Sequence, residues 1–110
     1  MRAPEERRKL ALEIAQNLLQ EQISAVEAVR ALVPIIRVDP TLLSREDRKS
    51  MLGIESEIED LPVGRIREVW HPDALLEKDK DIEKCERLYG ANVKSICERL
   101  VKKWEPLQLK

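Results

Sequence analysis

A long amphipathic pattern in the last third of the chain constrains the fold more than any other feature. Apolar side chains recur there at spacings near 3.6 residues, which places them on one face of a helix. Pro72 and Asp73 suit the first turn of such a helix, and bases gather towards its end, as the helix dipole favours. We predict one helix of about 32 residues, which Gly90 could bend. Its apolar face comprises Leu75, Ile82, Cys85, Tyr89, Val93, Ile96, Leu100 and Trp104.

Two shorter helices are predicted at the start of the chain. Pro4 marks the beginning of the first helix, which should end near Gln20. Ser24 and Glu27 form a capping-box pattern that begins the second helix, and Pro34 should end or kink it. The short link between the two helices favours an antiparallel pair. Their inner faces are predicted to comprise Leu10, Ala11, Ile14, Ala15, Leu18 and Leu19 in the first helix, and Val26, Val29, Leu32 and Val33 in the second.

The middle of the chain predicts a shorter third element followed by an irregular segment. Asp39-Pro40 marks a turn or a new helix start, and Ser44 is followed three residues later by an acid, as at a helix cap. Apolar residues then recur at helical spacing as far as Leu61. Leu61-Pro62-Val63-Gly64 must break regular structure, with one or two helical turns after it. We therefore predict an irregular central loop at about residues 59–71.

Length and composition indicate a single helical domain over residues 1–110. Apolar residues make up 43% of the chain, enough for a globular core, and no strand-like alternation of useful length occurs. Phe is absent, so the core must be built from Leu, Ile, Val and Ala. Small aliphatic cores are commonly supplemented by association, and a homodimer is a further expectation. The predicted fold class is all-α: a small helical bundle with an antiparallel N-terminal pair, an irregular central loop and a long C-terminal helix.

The charge distribution bears on the class of partner. The formal net charge is −1, which gives no bulk attraction to nucleic acid or to anionic lipid. Residues 39–73 nevertheless carry five basic and nine acidic side chains, a net charge of −4. The basic clusters elsewhere are interleaved with acids and lack stacking aromatics, which argues against nucleic-acid binding. A protein partner with a basic surface is the better expectation.

Sequence signals for export and for disulfide bonds are missing. No apolar region follows the basic N-terminus, and no run approaches the roughly 18 apolar residues of a membrane span. Cys85 and Cys97 lie twelve residues apart on one predicted helix, too far apart to bridge. We predict a cytoplasmic protein that has no membrane association and carries two reduced thiols. Cys85 should pack in the core, with Cys97 half exposed beside it.

Catalytic and metal-binding patterns are weak in this chain. The carboxylates between Glu55 and Asp60 lack the spacing of a calcium loop, and His71 has no second histidine for a zinc or di-iron site. The three glycines are not clustered as in a phosphate-binding loop. We predict neither a metal nor a cofactor. His71 suits a cap at the start of the long helix, although a general base with Glu57 or Asp60 behind it is the alternative.

Arg67 and Trp70 suggest a recognition site in the central loop. They lie three residues apart and would share one face of a helical turn, and both residue types are enriched at interface hot spots. The alternative is structural: Trp70 fills the core while Arg67 pairs with Glu57 or Asp60 and fastens the loop. The fastened loop could itself be a docking surface. The candidate binding or loop-fixing site comprises Ser56, Glu57, Asp60, Arg67, Trp70 and His71.

The central run also carries a resemblance to a known family. Gly53-Ile54-Glu55-Ser56-Glu57, then Leu61-Pro62-x-Gly64-x-x-Arg67-x-x-Trp70, precede a long helix in this chain. This arrangement resembles a family of small uncharacterised bacterial proteins defined by a domain of unknown function, over roughly residues 10–103. The resemblance implies a cytoplasmic helical domain and supplies no activity. The positions that match the family pattern are Ser56, Glu57, Leu61, Pro62, Gly64, Arg67 and Trp70.

Three functions follow from these observations as hypotheses. The first is a non-enzymatic interaction protein, such as a bacterial immunity or antitoxin-like protein, whose acidic loop meets a basic partner. The second is a small enzyme that uses Glu57, Asp60, Arg67 and His71 around a pocket. The third is a structural dimerisation unit built on the long helix, with Ile96 in its interface.

Overall fold

The computed structural model describes residues 3–108, apart from the side chains of residues 64, 65, 107 and 108. This part of the chain contains helices and no strand, so the predicted all-α class is confirmed. The four α-helices are α1 (Pro4–Leu19), α2 (Ala25–Val38), α3 (Arg45–Ile58) and α4 (Pro72–Gln108), and two 3-10 helices span Pro40–Leu42 and Gly64–Val69. Within residues 3–108, none of the helices combines the length with the hydropathy that a membrane span requires.

Short-range polar contacts explain where the helices begin. At the start of α2 the Ser24 hydroxyl accepts from the Glu27 N–H at 3.1 Å, and the Glu27 carboxylate accepts from the Ser24 N–H at 3.3 Å. At the start of α3 the Ser44 hydroxyl accepts from the Asp47 N–H at 3.1 Å. These contacts satisfy amides that a helix leaves free at its first turn. Both predicted caps are confirmed.

A tight turn joins α1 to α2 and sets them antiparallel. The Gln22 N–H donates to the Asn17 carbonyl at 2.8 Å, and the Glu21 N–H to the Leu18 carbonyl at 3.0 Å. Glu21 adopts a φ of 60°, the left-handed conformation that ends many helices. At the far end of the pair, Arg7 near the start of α1 lies 3.7 Å from the carboxylate of Asp39, which follows α2. The predicted antiparallel pair is therefore present.

α2 continues past Pro34, where the sequence pattern indicated an end or a kink. The helix runs to Val38, and the Asp39 N–H still donates to the Ile35 carbonyl at 2.9 Å. Pro34 has no N–H to donate, which removes one helical hydrogen bond. Ile36, in the turn after Pro34, is buried in the core. Burial of this last turn offsets the lost bond, so an end at Pro34 is wrong.

The buried side chains form one cluster that draws on all four helices. α2 contributes its whole predicted inner face, whereas α1 contributes Ala11, Leu12 and Ala15. Leu10, Ile14 and Leu18, predicted to form the inner stripe of α1, are only half-buried. Small alanine side chains let α1 pack closely against its neighbours, and this shifts its buried face away from the leucine stripe. The cluster comprises Ala11, Leu12, Ala15, Ala25, Val26, Ala28, Val29, Leu32, Val33, Ile36, Leu42, Leu43, Met51, Ile54, Ile58, Leu61, Val93, Ile96, Cys97 and Leu100.

The cysteines differ from their predicted environments. Cys97 is fully buried rather than half exposed, and burial raises the pKa of its thiol to about 12. Cys85 is half-buried and packs against the cluster from outside. In the second half of α4 the other helices cover the apolar face and also the residues beside it. Cys97 is therefore buried. Both thiols are free, as expected for two cysteines on one helix.

α4 is a single helix of 37 residues from Pro72 to Gln108, as predicted in kind and somewhat longer than expected. Its burial is uneven. Val93, Ile96 and Leu100 in its second half are at most 1% exposed, whereas none of residues 72–90 is buried. Because Ile96 lies inside the core of the chain itself, it cannot be the interface residue of a dimerisation face on α4.

Two side chains of α4 contact the start of α3 and the 3-10 helix before it. Arg99 donates two hydrogen bonds of 2.8 Å to the carboxylate of Asp47, which is itself buried at the first turn of α3. The Trp104 indole N–H donates to the Leu42 carbonyl at 2.9 Å. Trp104 also lies under the guanidinium of Arg8, which is 5.3 Å from the ring centre. The second half of α4 is thus held by apolar packing and by directional bonds together.

Candidate functional site

The predicted site residues lie around the connection between α3 and α4. Ser56 and Glu57 belong to the last turns of α3, and Asp60 follows it. Arg67 lies in the second 3-10 helix, whose last hydrogen bond runs from the Trp70 N–H to the Arg67 carbonyl at 3.2 Å. His71 directly precedes α4. The predicted partners of Arg67 and the predicted burial of Trp70 in the core are not observed.

Arg67 fastens the loop to α4 rather than to α3. Its guanidinium lies 2.7 Å and 3.0 Å from the two carboxylate oxygens of Asp79, and it also donates to the Pro62 carbonyl at 3.2 Å. These hydrogen bonds hold the pKa of the Asp79 carboxyl below its usual range and raise the pKa of Arg67. The predicted pairing with Glu57 or Asp60 is wrong, since the partner is Asp79.

Asp60 makes a second connection to the same part of α4. Its carboxylate accepts from the Lys78 ammonium at 2.9 Å. This hydrogen bond lowers the pKa of Asp60 and raises the pKa of Lys78. Lys78 and Asp79 are neighbours on α4. The two ion pairs therefore attach the beginning of the central loop, through Asp60, and its later part, through Arg67, to the same turn of this helix.

Arg30 of α2 holds the beginning of the loop in place. It lies on α2, and its guanidinium donates to the Ile58 carbonyl at 2.6 Å and to the Leu61 carbonyl. Ile58 ends α3, where carbonyls lack helical partners and where the helix dipole favours a positive charge. Leu61 and Pro62 are buried directly after this point. No local pattern predicts this contact, because Arg30 is 28 residues from Ile58 along the chain.

Trp70 does not fill the core. It is half-buried and is neither part of the buried cluster nor packed against it. Leu61 occupies the cluster at this end instead. The prediction that Trp70 plugs the core is therefore wrong, and the reason is topological: the second 3-10 helix lies on the α4 side of the loop, outside the packed helices.

Ile66 and Val69 are the most exposed apolar side chains of the loop. Val69 is 82% exposed and Ile66 54% exposed, and their spacing of three places them on one side of a 3-10 helix. Leu76, in the second turn of α4, is 63% exposed. The sequence interpretation concentrated on Arg67 and Trp70 and missed these residues. The spacing of Ile66 and Val69 on either side of Arg67 was the available signal.

Ser56 and His71 have local structural roles. The Ser56 hydroxyl donates to the Gly53 carbonyl one turn earlier at 2.8 Å. His71 accepts through Nδ1 from the Asp73 N–H at 3.1 Å, which caps the first turn of α4 as predicted. The His71 side chain is largely exposed. Neither contact aligns a nucleophile with a base.

A shallow cleft of about 230 Å³ lies beside the loop. Glu57 and Asp60 line it, but Arg67 and His71 do not, so it does not join the four groups of the enzyme hypothesis. Cys85 also lines this cleft, and burial together with the nearby carboxylates raises the pKa of its thiol. A protonated thiol is a poor nucleophile. Among the described residues, no group of three His, Cys, Asp or Glu side chains is placed to hold a metal ion.

The acidic charge of the molecule is concentrated around this loop. Residues 55–90, which we call the acidic end, carry eleven acidic and six basic side chains, a net charge of −5. The rest of the chain carries ten acidic and fourteen basic side chains, a net charge of +4. The loop thus combines exposed apolar side chains with an acidic surrounding.

No family model, curated protein or solved structure matches this chain.

Proposed function

We propose that this chain is a non-enzymatic interaction protein that docks through its central loop and the first turns of α4. The docking surface comprises the exposed apolar residues Ile66, Val69 and Leu76 and the exposed acids Glu68, Asp73 and Glu77. The observation that carries the proposal is the 82% exposure of Val69 on a loop that polar contacts hold in place.

The fixed loop favours binding for an entropic reason. Ordering a side chain at an interface costs about 0.5–1.5 kcal/mol, and a loop that is already ordered loses less freedom on binding. Arg67, Asp60 and Arg30 anchor the loop before any partner arrives. Apolar side chains held outward in this way can be buried by a partner at about 25 cal/mol per Å². The geometry thus supports recognition, whereas catalysis would need groups that converge on a cleft.

The charge of the acidic end indicates the chemistry of the partner. A net charge of −5 over residues 55–90 steers a basic surface towards the loop and repels acidic ones. The partner we propose is a basic protein, with a small apolar patch that receives Val69. A bacterial immunity or antitoxin-like protein, acting in the cytoplasm on a basic toxin, is one concrete version of this function.

Capture from the native host tests the proposal. Immobilised protein should retain a basic protein at low ionic strength, and retention should weaken as salt screens the acidic end. With the captured protein purified, replacing both Ile66 and Val69 by Ser should weaken binding at least about tenfold. Leu88→Ser is the matched control, because Leu88 is 61% exposed on α4 and lies outside the docking surface.

Two outcomes would contradict the proposal. One is the capture of no partner at endogenous expression levels. The other is a partner whose affinity is unaffected by the loop variant or is lowered equally by the Leu88 control. A toxin gene adjacent to the gene of this protein would favour the immunity version.

A further inference from the structure

An open cleft of about 430 Å³ lies between the α1–α2 turn and the middle of α4. Its volume falls within the range of small-molecule binding sites. On α4, Gly90 and Lys94 line it one helical turn apart and so lie on one face of that helix. The turn contributes half-buried apolar side chains, which are Leu18, Leu19 and Ile23. The cleft therefore combines an apolar part with a polar helix face.

Gly90 lines the cleft at a position where packing does not require glycine. It lies inside α4, and glycine is among the least favourable residues in the interior of a helix. A Cβ at position 90 would meet no packed neighbour within 4 Å. The neighbouring helices therefore leave room for a side chain here, and the glycine keeps this part of the cleft open.

Glu21 departs from local preference in the opposite sense. It follows the end of α1 with a φ of 60°, in a turn that the Gln22 N–H closes by donating to the Asn17 carbonyl at 2.8 Å. Glycine is the usual residue at this position of such a turn, because a Cβ is strained in the left-handed conformation. Glu21 and Gly90 thus each work against the local preference, and both line the same cleft. Departures of this kind are expected at functional sites.

The charged side chains of the cleft fall into two groups. Both carboxylate oxygens of Glu86 accept backbone N–H groups at the start of α2, and Glu27 completes the capping box there. Glu21 and Lys94 are exposed, and within residues 3–108 neither side chain has a hydrogen-bond or ion-pair partner. The cleft therefore offers one carboxylate and one ammonium group to a ligand, beside an apolar surface.

We propose that this cleft binds a free aliphatic amino acid, for which leucine is the probe. The ligand ammonium pairs with Glu21 and the ligand carboxylate with Lys94, and both hydrogen bonds are charge-assisted. The aliphatic side chain of the ligand packs against Leu18, Leu19 and Ile23, which removes apolar surface from water. A ligand with one charge would use only one of the two groups. This site shares no residue with the docking surface, and it does not rest on the proposed docking function.

An NMR titration of the full chain tests the proposal. Leucine should bind with a dissociation constant below about 1 mM. Leucinamide lacks the carboxylate and 4-methylpentanoate lacks the ammonium, so each should bind at least about tenfold more weakly than leucine. Lys94→Gln should abolish the discrimination against leucinamide, and Glu21→Gln should abolish the discrimination against 4-methylpentanoate.

Gly90→Leu separates binding from folding. The new side chain fills the cleft, so the affinity for leucine should fall at least about tenfold, whereas the thermal midpoint should not fall because leucine is the better helix former. Gly53→Leu is the matched control. Gly53 lies on α3 outside the cleft, and a Cβ there also meets nothing within 4 Å. This control should bind leucine as the wild type does.

Three results would overturn the proposal. The first is the absence of leucine binding to the wild type at concentrations up to about 10 mM. The second is wild-type affinity for leucine in the Gly90→Leu variant. The third is an equal loss of affinity in the Gly53→Leu control.

Discussion

The two halves of α4 show two ways of holding the same helix in place. Val93, Ile96 and Leu100 in the second half are at most 1% exposed and pack against the other helices. None of residues 72–90 is buried. This half is held by the ion pairs of Lys78 and Asp79, by a contact of Glu86, and by the half-buried apolar side chains that pack against the cluster from outside, Ile82, Cys85 and Tyr89. Full burial of apolar side chains distinguishes the second half of α4, whereas the first half depends more on polar contacts.

The difference explains why the loop can present apolar side chains to solvent. Where apolar packing holds a helix in place, its apolar side chains are buried inside the protein, because their burial supplies the stabilisation. Around the loop, Arg67 and Asp60 supply the fixation instead, so Ile66 and Val69 remain outside. Such contacts are weaker and more sensitive to salt than a packed core. The central loop is therefore ordered, and its exposed apolar side chains are accessible to a partner.

The largest expected effect comes from shortening one apolar side chain in each half of α4. Leu100→Ala should lower the free energy of unfolding by about 3 kcal/mol, because it leaves a cavity in the core. Ile82→Ala, at a half-buried position in the first half, should cost only about 1 kcal/mol. Urea denaturation measures both. Equal losses would mean that the two halves are packed alike and would remove the comparison.

An intermediate effect is expected from two aspartates that each pair with an arginine. Asp47→Asn removes a buried carboxylate from Arg99 and should cost about 1–2 kcal/mol at neutral pH. Asp79→Asn removes the half-exposed partner of Arg67 and should leave global unfolding close to that of the wild type. A loss for Asp79→Asn as large as that for Asp47→Asn would show that the loop contributes to the core.

The pairing of Asp47 with Arg99 also makes stability depend on pH. Hydrogen bonds from Arg99 hold the pKa of Asp47 below its usual range in the folded protein. Its contribution is therefore fully present above the unfolded pKa of about 3.9 and is lost as the pH falls through the folded value. Stability of the wild type should fall more steeply in acid than that of Asp47→Asn. Parallel acid limbs of the two stability curves would contradict this assignment.

A smaller effect is expected at the contact between the first half of α4 and the start of α2. The Glu86 carboxylate on α4 accepts from the Ala25 and Val26 N–H groups at 3.0 Å and 2.8 Å, which caps the start of α2. Glu86→Ala should lower stability by about 1 kcal/mol, as the loss of a helix cap does. The matched control is Glu83→Ala, which removes an exposed pair with Arg87. Equal thermal midpoints for the two variants would show that this cap is dispensable.

The features that could be predicted from the sequence are those determined by near neighbours. The Ser24 capping box, the Ser44 cap and the starts at Pro4 and Pro72 each depend on residues within one turn, and all four are observed. The apolar spacing of α4 likewise gave one helix, because periodicity is a local property.

Contacts between distant segments could not be predicted in the same way. Arg30 and Glu86 cap helices that lie 28 or more residues away in sequence, and nothing in their surroundings marks them out. The partner of Arg67 depended on how the loop meets α4, which placed Asp79 rather than Glu57 beside it. The continuation of α2 past Pro34 depended on the burial of Ile36. In each case tertiary packing decided between options that local rules left open.

Native-state hydrogen exchange along α4 tests the central claim most directly. We expect amides of residues 93–104 to exchange only through global unfolding. Amides of residues 76–88 should exchange through local opening at a lower free energy, which added salt lowers further as it screens the ion pairs. A single opening free energy for both halves of α4, unchanged by salt, would contradict this account, in which the second half of the helix is packed and the first half depends on polar contacts.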